Sequence, residues 1–266
     1  GLGENGTLGK VTVWKRDATN TSHDGWVQNY SKYGTTNRTD GSWHYFGQKF
    51  DISETYLLVS QYQWANPSQL TGGTDGKMHL FNLDTGALVQ EWTRYTDNSL
   101  DYGLGQFHCA VCDLYSAWHT GFNDEIFIAN NVAGTIRSQK ITPNNSNGWS
   151  NDFKYEFRPD GSFIAVSNSG DEEIEIFNPS NGAHIKTLTN PASAGDLFAD
   201  NFAVTQNYLV ITASRADVGA NNSGSVYVYE IPDVLTGTWA PILTLNGENG
   251  GDYFGTSCAV SDEHVL

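Results

Sequence analysis

The sequence has little positive charge, few cysteines and no long apolar run, and each shortage removes a class of function. Its 266 residues hold 14 Lys and Arg against 30 Asp and Glu, a formal net charge of −16. A nucleic-acid binder neutralises phosphates with basic side chains, and a polybasic membrane binder needs the same sign, so neither is expected. No apolar stretch reaches the ~18 residues that a spanning helix requires, so no membrane insertion by that route is expected either. Three cysteines, Cys109, Cys112 and Cys258, are too few for a disulfide scaffold and leave one over if any bridge forms. Charged residues make up only 17%, below the usual quarter or so. No helical periodicity of useful length appears.

Polarity comes instead from Asn, Gly, Ser and Thr, the residues of turns. Apolar residues at 38%, with 13% Phe, Trp and Tyr, supply a sizeable core. The length suits one large all-β domain or two small ones. The chain opens at Gly1 without Met and stops at Glu263-His264-Val265-Leu266, inside what reads as a strand. Processing, or membership of a longer protein, is the expectation, so missing targeting signals carry no weight. Asn-x-Ser/Thr sequons stand at Asn5, Asn20, Asn29, Asn37, Asn144 and Asn221, which a composition this rich in those residues also produces by chance.

An internal repeat organises the chain. Phe46-Gly47-Gln48-Lys49-Phe50-Asp51-Ile52-Ser53 overlays Phe254-Gly255-Thr256-Ser257-Cys258-Ala259-Val260-Ser261, and Phe198 to Thr205 fits the same frame. Leu104-Gly105, followed by Cys109-Ala110-Val111-Cys112, fits with one residue inserted. Alternate apolar positions (Phe50/Ile52, Phe202/Val204, Cys258/Val260) mark one buried face of a strand. A continuous apolar run follows, Tyr56 to Ser60 or Tyr208 to Thr212, as a strand buried on both faces requires. A third strand begins after Gly76-Lys77 or Gly224-Ser225, and a fourth covers 87–92 or 239–245. A more divergent copy runs through 153–188.

Four strands per repeat predict an all-β fold, a β-propeller of four-stranded antiparallel blades. The expected division is a half blade at 1–40, blades at about 46–93, 104–152, 153–190 and 198–245, and a half blade at 254–266. The halves complement each other: 254–266 supplies first and second strands, and Gly9 to Asp17 with Trp26 to Tyr30 supplies third and fourth. Five blades closed by both termini in a single domain, or a fragment of a larger propeller, are the two readings.

The pieces Gly251-Asp252-Tyr253-Phe254-Gly255, Gly195-Asp196-Leu197-Phe198 and Asn222-Ser223-Gly224-Ser225-Val226-Tyr227 resemble the FG-GAP repeat, found in integrin α-subunit heads and in bacterial and phage surface propellers. The Gly-Ala-Pro part is replaced by Val59-Ser60-Gln61 and Thr212-Ala213-Ser214. The resemblance implies adhesion or structural assembly outside the cell, on a cell surface or on a virion, as in a tail fibre, with protein or glycan partners and other subunits of a larger assembly. It also implies calcium in the loop between second and third strands. Here that loop offers Asp217, Asn221 and Asn222, one carboxylate where calcium usually takes several. A plain solvated turn is the competing reading, and no cofactor is expected.

Other candidates are weighed against packing. His108, Cys109, Cys112 and His119 have zinc-ligand chemistry, but Cys109 occupies a core-facing repeat position, and residues three apart on a strand point to opposite faces. Trp26, Trp92 and Trp239 fall in fourth strands, where packing between blades accounts for them. Trp64 and Trp118 fall in loops and are the aromatic residues offered to a ligand such as a sugar. Asp124-Glu125 and Asp171-Glu172-Glu173 suggest a carboxylate pair, yet glycosidase carboxylates must sit about 5 to 10 Å apart across a cleft. The expectation is a non-catalytic recognition or structural module, with a carbohydrate-active propeller and a calcium-dependent adhesin as alternatives.

Overall fold

In the computed structural model the described residues are 9–34, 45–62, 76–93, 108–119, 125–131, 139–142, 153–168, 170–192 and 195–265. They hold strands and no α-helix. β1 (Lys10–Arg16) and β2 (Trp26–Tyr33) form a two-stranded sheet. Four sheets of four strands follow in chain order. The first holds β3 (Phe46–Ile52), β4 (Tyr56–Gln61), β5 (Lys77–Asn82) and β6 (Leu88–Thr93). The second holds β7 (Cys109–Val111), β8 (Tyr115–His119), β9 (Ile126–Asn130) and β10 (Gln139–Ile141). The third holds β11 (Tyr155–Phe157), β12 (Ile164–Asn168), β13 (Glu173–Phe177) and β14 (His184–Thr189). The fourth holds β15 (Phe198–Val204), β16 (Tyr208–Ala213), β17 (Ser225–Glu230) and β18 (Pro241–Asn246). Each sheet is a meander in which sequence neighbours pair. The chain divides into two compact units, 1–138 and 139–266.

The repeat is written in backbone conformation. Tyr45 and Gly47 have φ of 40° and 78°, Leu197 and Ala199 54° and 67°, and Tyr253 and Gly255 50° and 87°. A left-handed residue thus stands on each side of Phe46, Phe198 and Phe254. The same turn closes each copy, with Gln48, Asp200 and Thr256 N–H donating to the carbonyls of Tyr45, Leu197 and Tyr253 at 3.2, 3.3 and 3.2 Å. In β3 the pairing jumps from Phe46↔Gln61 to Phe50↔Val59, and in β15 from Phe198↔Ala213 to Phe202↔Ile211. Such a bulge bends the first strand and buries the Phe. Glycine suits the second left-handed position at Gly47, and Ala199 holds the same φ against its steric preference.

The turn into each second strand also recurs. Ser53 Oγ accepts from Thr55 and Tyr56 N–H, Thr205 Oγ1 from Asn207 and Tyr208 N–H, and Ser261 Oγ from Glu263 and His264 N–H. A side-chain hydroxyl replaces the backbone partners that a tight turn leaves unsatisfied.

Middle strands carry the core. Leu57, Leu58, Val59, Met78 and Leu80 in the first blade are at most 1% exposed, as are Leu209, Val210 and Ile211 in the fourth. Burying each such side chain stabilises by about 1.5–3 kcal/mol. Within the first unit, Leu58, Met78, Leu80 and Trp92 pack against Cys109, Val111, Trp118 and Phe127 of the next sheet. Within the second, Phe163, Ala165, Ile174 and Ile176 pack against Phe198, Phe202, Leu209 and Ile211.

Candidate functional site

Trp118 does not lie in a loop: it is in β8, fully buried, with its ring centroid 4.9 Å from that of Trp92. A ring enclosed on both faces has no surface for a sugar, so the residue is a packing element between two sheets. Trp64 lies outside the described residues. Trp92 and Trp239 pack between sheets as expected, Trp239 edge-on to Phe163 with its indole N–H donating to Leu235 O at 2.9 Å. Trp26 departs from that expectation, with 51% of its surface exposed.

The structure brings Asp217, Asn221 and Asn222 into one tight loop. Asp217 Oδ1 accepts from Asn222 N–H at 2.7 Å, and Ser223 Oγ donates within the same loop to the carbonyls of Ala216 and Val218. The Asn221 and Asn222 carbonyls accept from Gly251 and Tyr253 N–H at 2.9 and 3.2 Å. The carboxylate therefore closes the loop, and the loop's backbone anchors the segment after β18. Among the described residues no group of three or more His, Cys, Asp or Glu could hold a metal ion.

Cys109 and Cys112 are buried reduced thiols. Burial pushes the Cys109 thiol far up, with Asp51 adding to it, and holds the His119 imidazole down at about 3. Both groups are therefore neutral at physiological pH, as members of a core. Of the acidic runs, Asp124 lies outside the described residues. Asp171 Oδ2 accepts from Asn168 Nδ2 at 2.9 Å. Glu172 Oε1 accepts from Gly195 and Leu197 N–H at 3.0 and 2.8 Å, fixing the entry to β15.

A polar cluster that sequence reading missed lies inside the first blade. Lys77 and His79 project from β5 and Glu91 from β6, and the pairing His79↔Glu91 sets them together. Lys77 Nζ donates to Glu91 Oε1 at 2.7 Å and His79 Nδ1 lies 3.1 Å from Glu91 Oε2. The other ring nitrogen faces Gln61 Oε1 at 3.1 Å. Phe46 and Phe81 flank the imidazole, edge-on at 5.4 Å and stacked at 5.8 Å. His79 is 4% exposed. Burial lowers its pKa against the pull of Glu91. Glu91 itself falls to about 2, held first by the bond to His79 and opposed by burial. The signal in the sequence was period-two polarity, Lys77 and His79 alternating with Met78 and Leu80 in a strand that should be apolar.

First strands carry a second set of polar contacts that tie one blade to the next. Asp51 Oδ2 accepts from Val111 N–H at 2.8 Å, and Glu156 Oε2 from Val204 N–H at 3.1 Å. Both acids hold the same place in their repeats, paired to Leu58 and Ala165. Burial raises the Asp51 carboxyl, and the N–H groups of Val111 and Ile52 partly offset this. Lys154 Nζ donates to Asp200 O and to the Asn201 side chain, and Asn201 Nδ2 donates to Thr256 O at 2.7 Å. At the turns, Asp113 accepts from Ser53 and Thr55, and Arg158 Nε donates to Gln206 O.

Bulged first strands, doubly buried middle strands and sheets stacked face to face define a β-propeller. The chain is similar to the propeller in the complex of KlAtg21 with the coiled-coil of AgAtg16, at 12% identity and a TM-score of 0.52, covering 75% of this chain and 57% of that one. It also matches BamB from Moraxella catarrhalis (9%, TM-score 0.47, 81% and 52%) and the propeller domain of the Trilobed protease from Pyrococcus furiosus (11%, 0.48, 76% and 58%). The chain therefore spans little more than half the length of these structures. No family model and no curated protein matches the sequence.

Proposed function

We propose that this is an FG-GAP-type propeller serving as a non-catalytic binding or scaffold module outside the cell, on a cell surface or a virion, with protein partners first and glycans second. The observation that carries the reading is the use made of its ionisable groups. Asp51, Glu156, Glu172 and Lys154 bond to backbone groups of the following first strand or its entry, and Glu91 holds Lys77 and His79. Acids spent on holding main chain in place build a rigid platform. The left-handed pairs around Phe46, Phe198 and Phe254 support the FG-type repeat.

Native mass spectrometry of the untagged protein from its natural source tests this. Co-isolation of a protein partner at fixed stoichiometry is the expected result. Release of reducing sugar from a polysaccharide panel would replace it with the carbohydrate-active reading. For the loop around Asp217, the melting temperature is expected to be unchanged by excess chelator, and a fall would reinstate calcium.

A further inference from the structure

The histidines of the two units sit at different depths. Among the described residues of 1–138, His79 and His119 are 4% and 2% exposed. The two histidines of 139–266 are shallower, His184 half-buried and His264 exposed. Histidine is the side chain whose charge ordinarily changes between about pH 5 and 8, so a buried one couples that range to folding. The repeat shows that a blade needs neither. Reading across the sheets, Phe50↔Val59↔His79 corresponds to Cys109↔Trp118↔Phe127, Tyr155↔Val166↔Glu175 and Phe202↔Ile211↔Tyr227. One residue further along the second strand, His119 stands where the other sheets have Ser60, Ser167 and Thr212. Those hydroxyls bond to the first strand: Ser60 and Ser167 Oγ accept from Lys49 and Lys154 N–H, and Thr212 Oγ1 donates to Asn201 O.

Neither place takes a further positive charge easily. Phe46 of β3 and Phe81 of β5 cover the His79 ring, Gln61 of β4 meets Nε2 and Glu91 of β6 meets Nδ1. Glu91 already holds the Lys77 ammonium at 2.7 Å, and Lys32 of β2 lies with Nζ 5.3 Å from the Phe81 centroid. A protonated His79 would set two cations on one carboxylate, beside a ring almost out of water. His119 lies in the fields of Lys49 on β3 and of His108, and both oppose a proton on it. Its strand pairs with β7, which carries the neutral Cys109, and with β9, where Ile126 stands opposite. Both imidazoles are held below the ordinary value of 6.5, burial being the main cause. An opened unit takes up a proton on each histidine near that pH and the closed unit does not. Closure is therefore at full strength above pH 6.5 and weakens as pH falls below it.

We propose that mild acid opens the unit 1–138 and leaves 139–266 closed, with His79 and His119 as the two triggers. The device is conformational: it loosens the blades of one unit while the blades of the other keep their pairing. It rests on where the chain buries its histidines and is independent of the recognition role.

The test is hydrogen exchange of the full chain, read as amide protection after correction for the intrinsic rate. From about pH 7.5 to about pH 5.5, protection of β4, β5, β8 and β9 is expected to fall by up to about tenfold for each histidine, while β12, β13, β16 and β17 hold theirs. His79→Tyr and His119→Thr each take the fourth blade's residue, and each should remove its own share of the loss. Should a variant fail to fold, the imidazole NMR signals of the native chain decide, since both rings are expected to stay neutral through this range. A loss of equal size in both units, no loss in the first, a loss that survives both substitutions, or a charged His79 or His119 ring in the folded chain at about pH 6.5 overturns the proposal.

Discussion

The first and fourth blades share one backbone plan and fill it with opposite chemistry. Pairing aligns Lys77 with Ser225, His79 with Tyr227 and Glu91 with Thr244. Phe46 meets His79 edge-on at 5.4 Å, and Phe198 meets Tyr227 edge-on at 5.8 Å. One blade sets the Lys77–Glu91 ion pair and the buried His79 beneath its bulge, and the other an aromatic ring with hydroxyls. The fold thus fixes where a side chain goes and leaves its polarity open, provided that every buried charge finds a partner.

The largest effect should come from removing the shared element. Phe198→Ala, at a fully buried site, is expected to cost about 3–5 kcal/mol in urea unfolding, and Phe46→Ala a similar amount if the blades are mechanically equivalent. A much smaller loss for Phe46→Ala would break the equivalence.

Next comes the triad. Glu91→Gln removes the charge and one of the two acceptor oxygens that Lys77 and His79 use, and about 2 kcal/mol is expected, discounted because the Glu91 side chain is 35% exposed. The pH dependence has a definite sign. The Glu91 pKa is lowered from 4.5 to about 2, so its contribution is fully present above pH 4.5 and is lost as pH falls toward 2. Unfolding curves between those values should show a steeper slope in the native chain than in Glu91→Gln.

The left-handed position after the Phe offers a signed pair. Gly47→Ala forces a φ of 78° on a residue whose Cβ would meet Val11 Cγ2 at 2.6 Å, and about 1–2 kcal/mol should be lost. Ala199→Gly relieves a φ of 67° and should gain up to about 1 kcal/mol in thermal unfolding. Equal signs would mean that the two bulges are not the same device. The smallest effect is expected for the exchange Lys77→Ser, His79→Tyr and Glu91→Thr, which gives the first blade the fourth blade's chemistry. It should fall within about 1 kcal/mol of neutral, because exchanging an ion pair whole for uncharged groups often leaves stability little changed.

Much of this plan was legible in the sequence, since period-two apolarity and Phe-Gly pairs are local signals. The strands fall within a residue or two of their expected places, from β3 to β6 and from β15 to β18. What failed depended on register or depth. Trp118 read as a loop residue because the short β8 ends beside it at His119. The cluster showed in the sequence only as the polar Lys77 and His79 in a strand that should be apolar, because their partner Glu91 meets them across a strand pair. Ala199 hid a left-handed bulge that glycine announces at Gly47 and Gly255.

The paired left-handed residues have an evolutionary consequence. A duplicated unit registers with its predecessor through the sign of two backbone torsions and the aromatic residue between them. Leu, Tyr, Ala and Gly all occupy those two torsions in this chain. Selection on such a unit constrains handedness more than identity. Copies can therefore drift apart residue by residue while each still enters its sheet at the same point, and a tandem array can lengthen by duplication without first inventing new contacts.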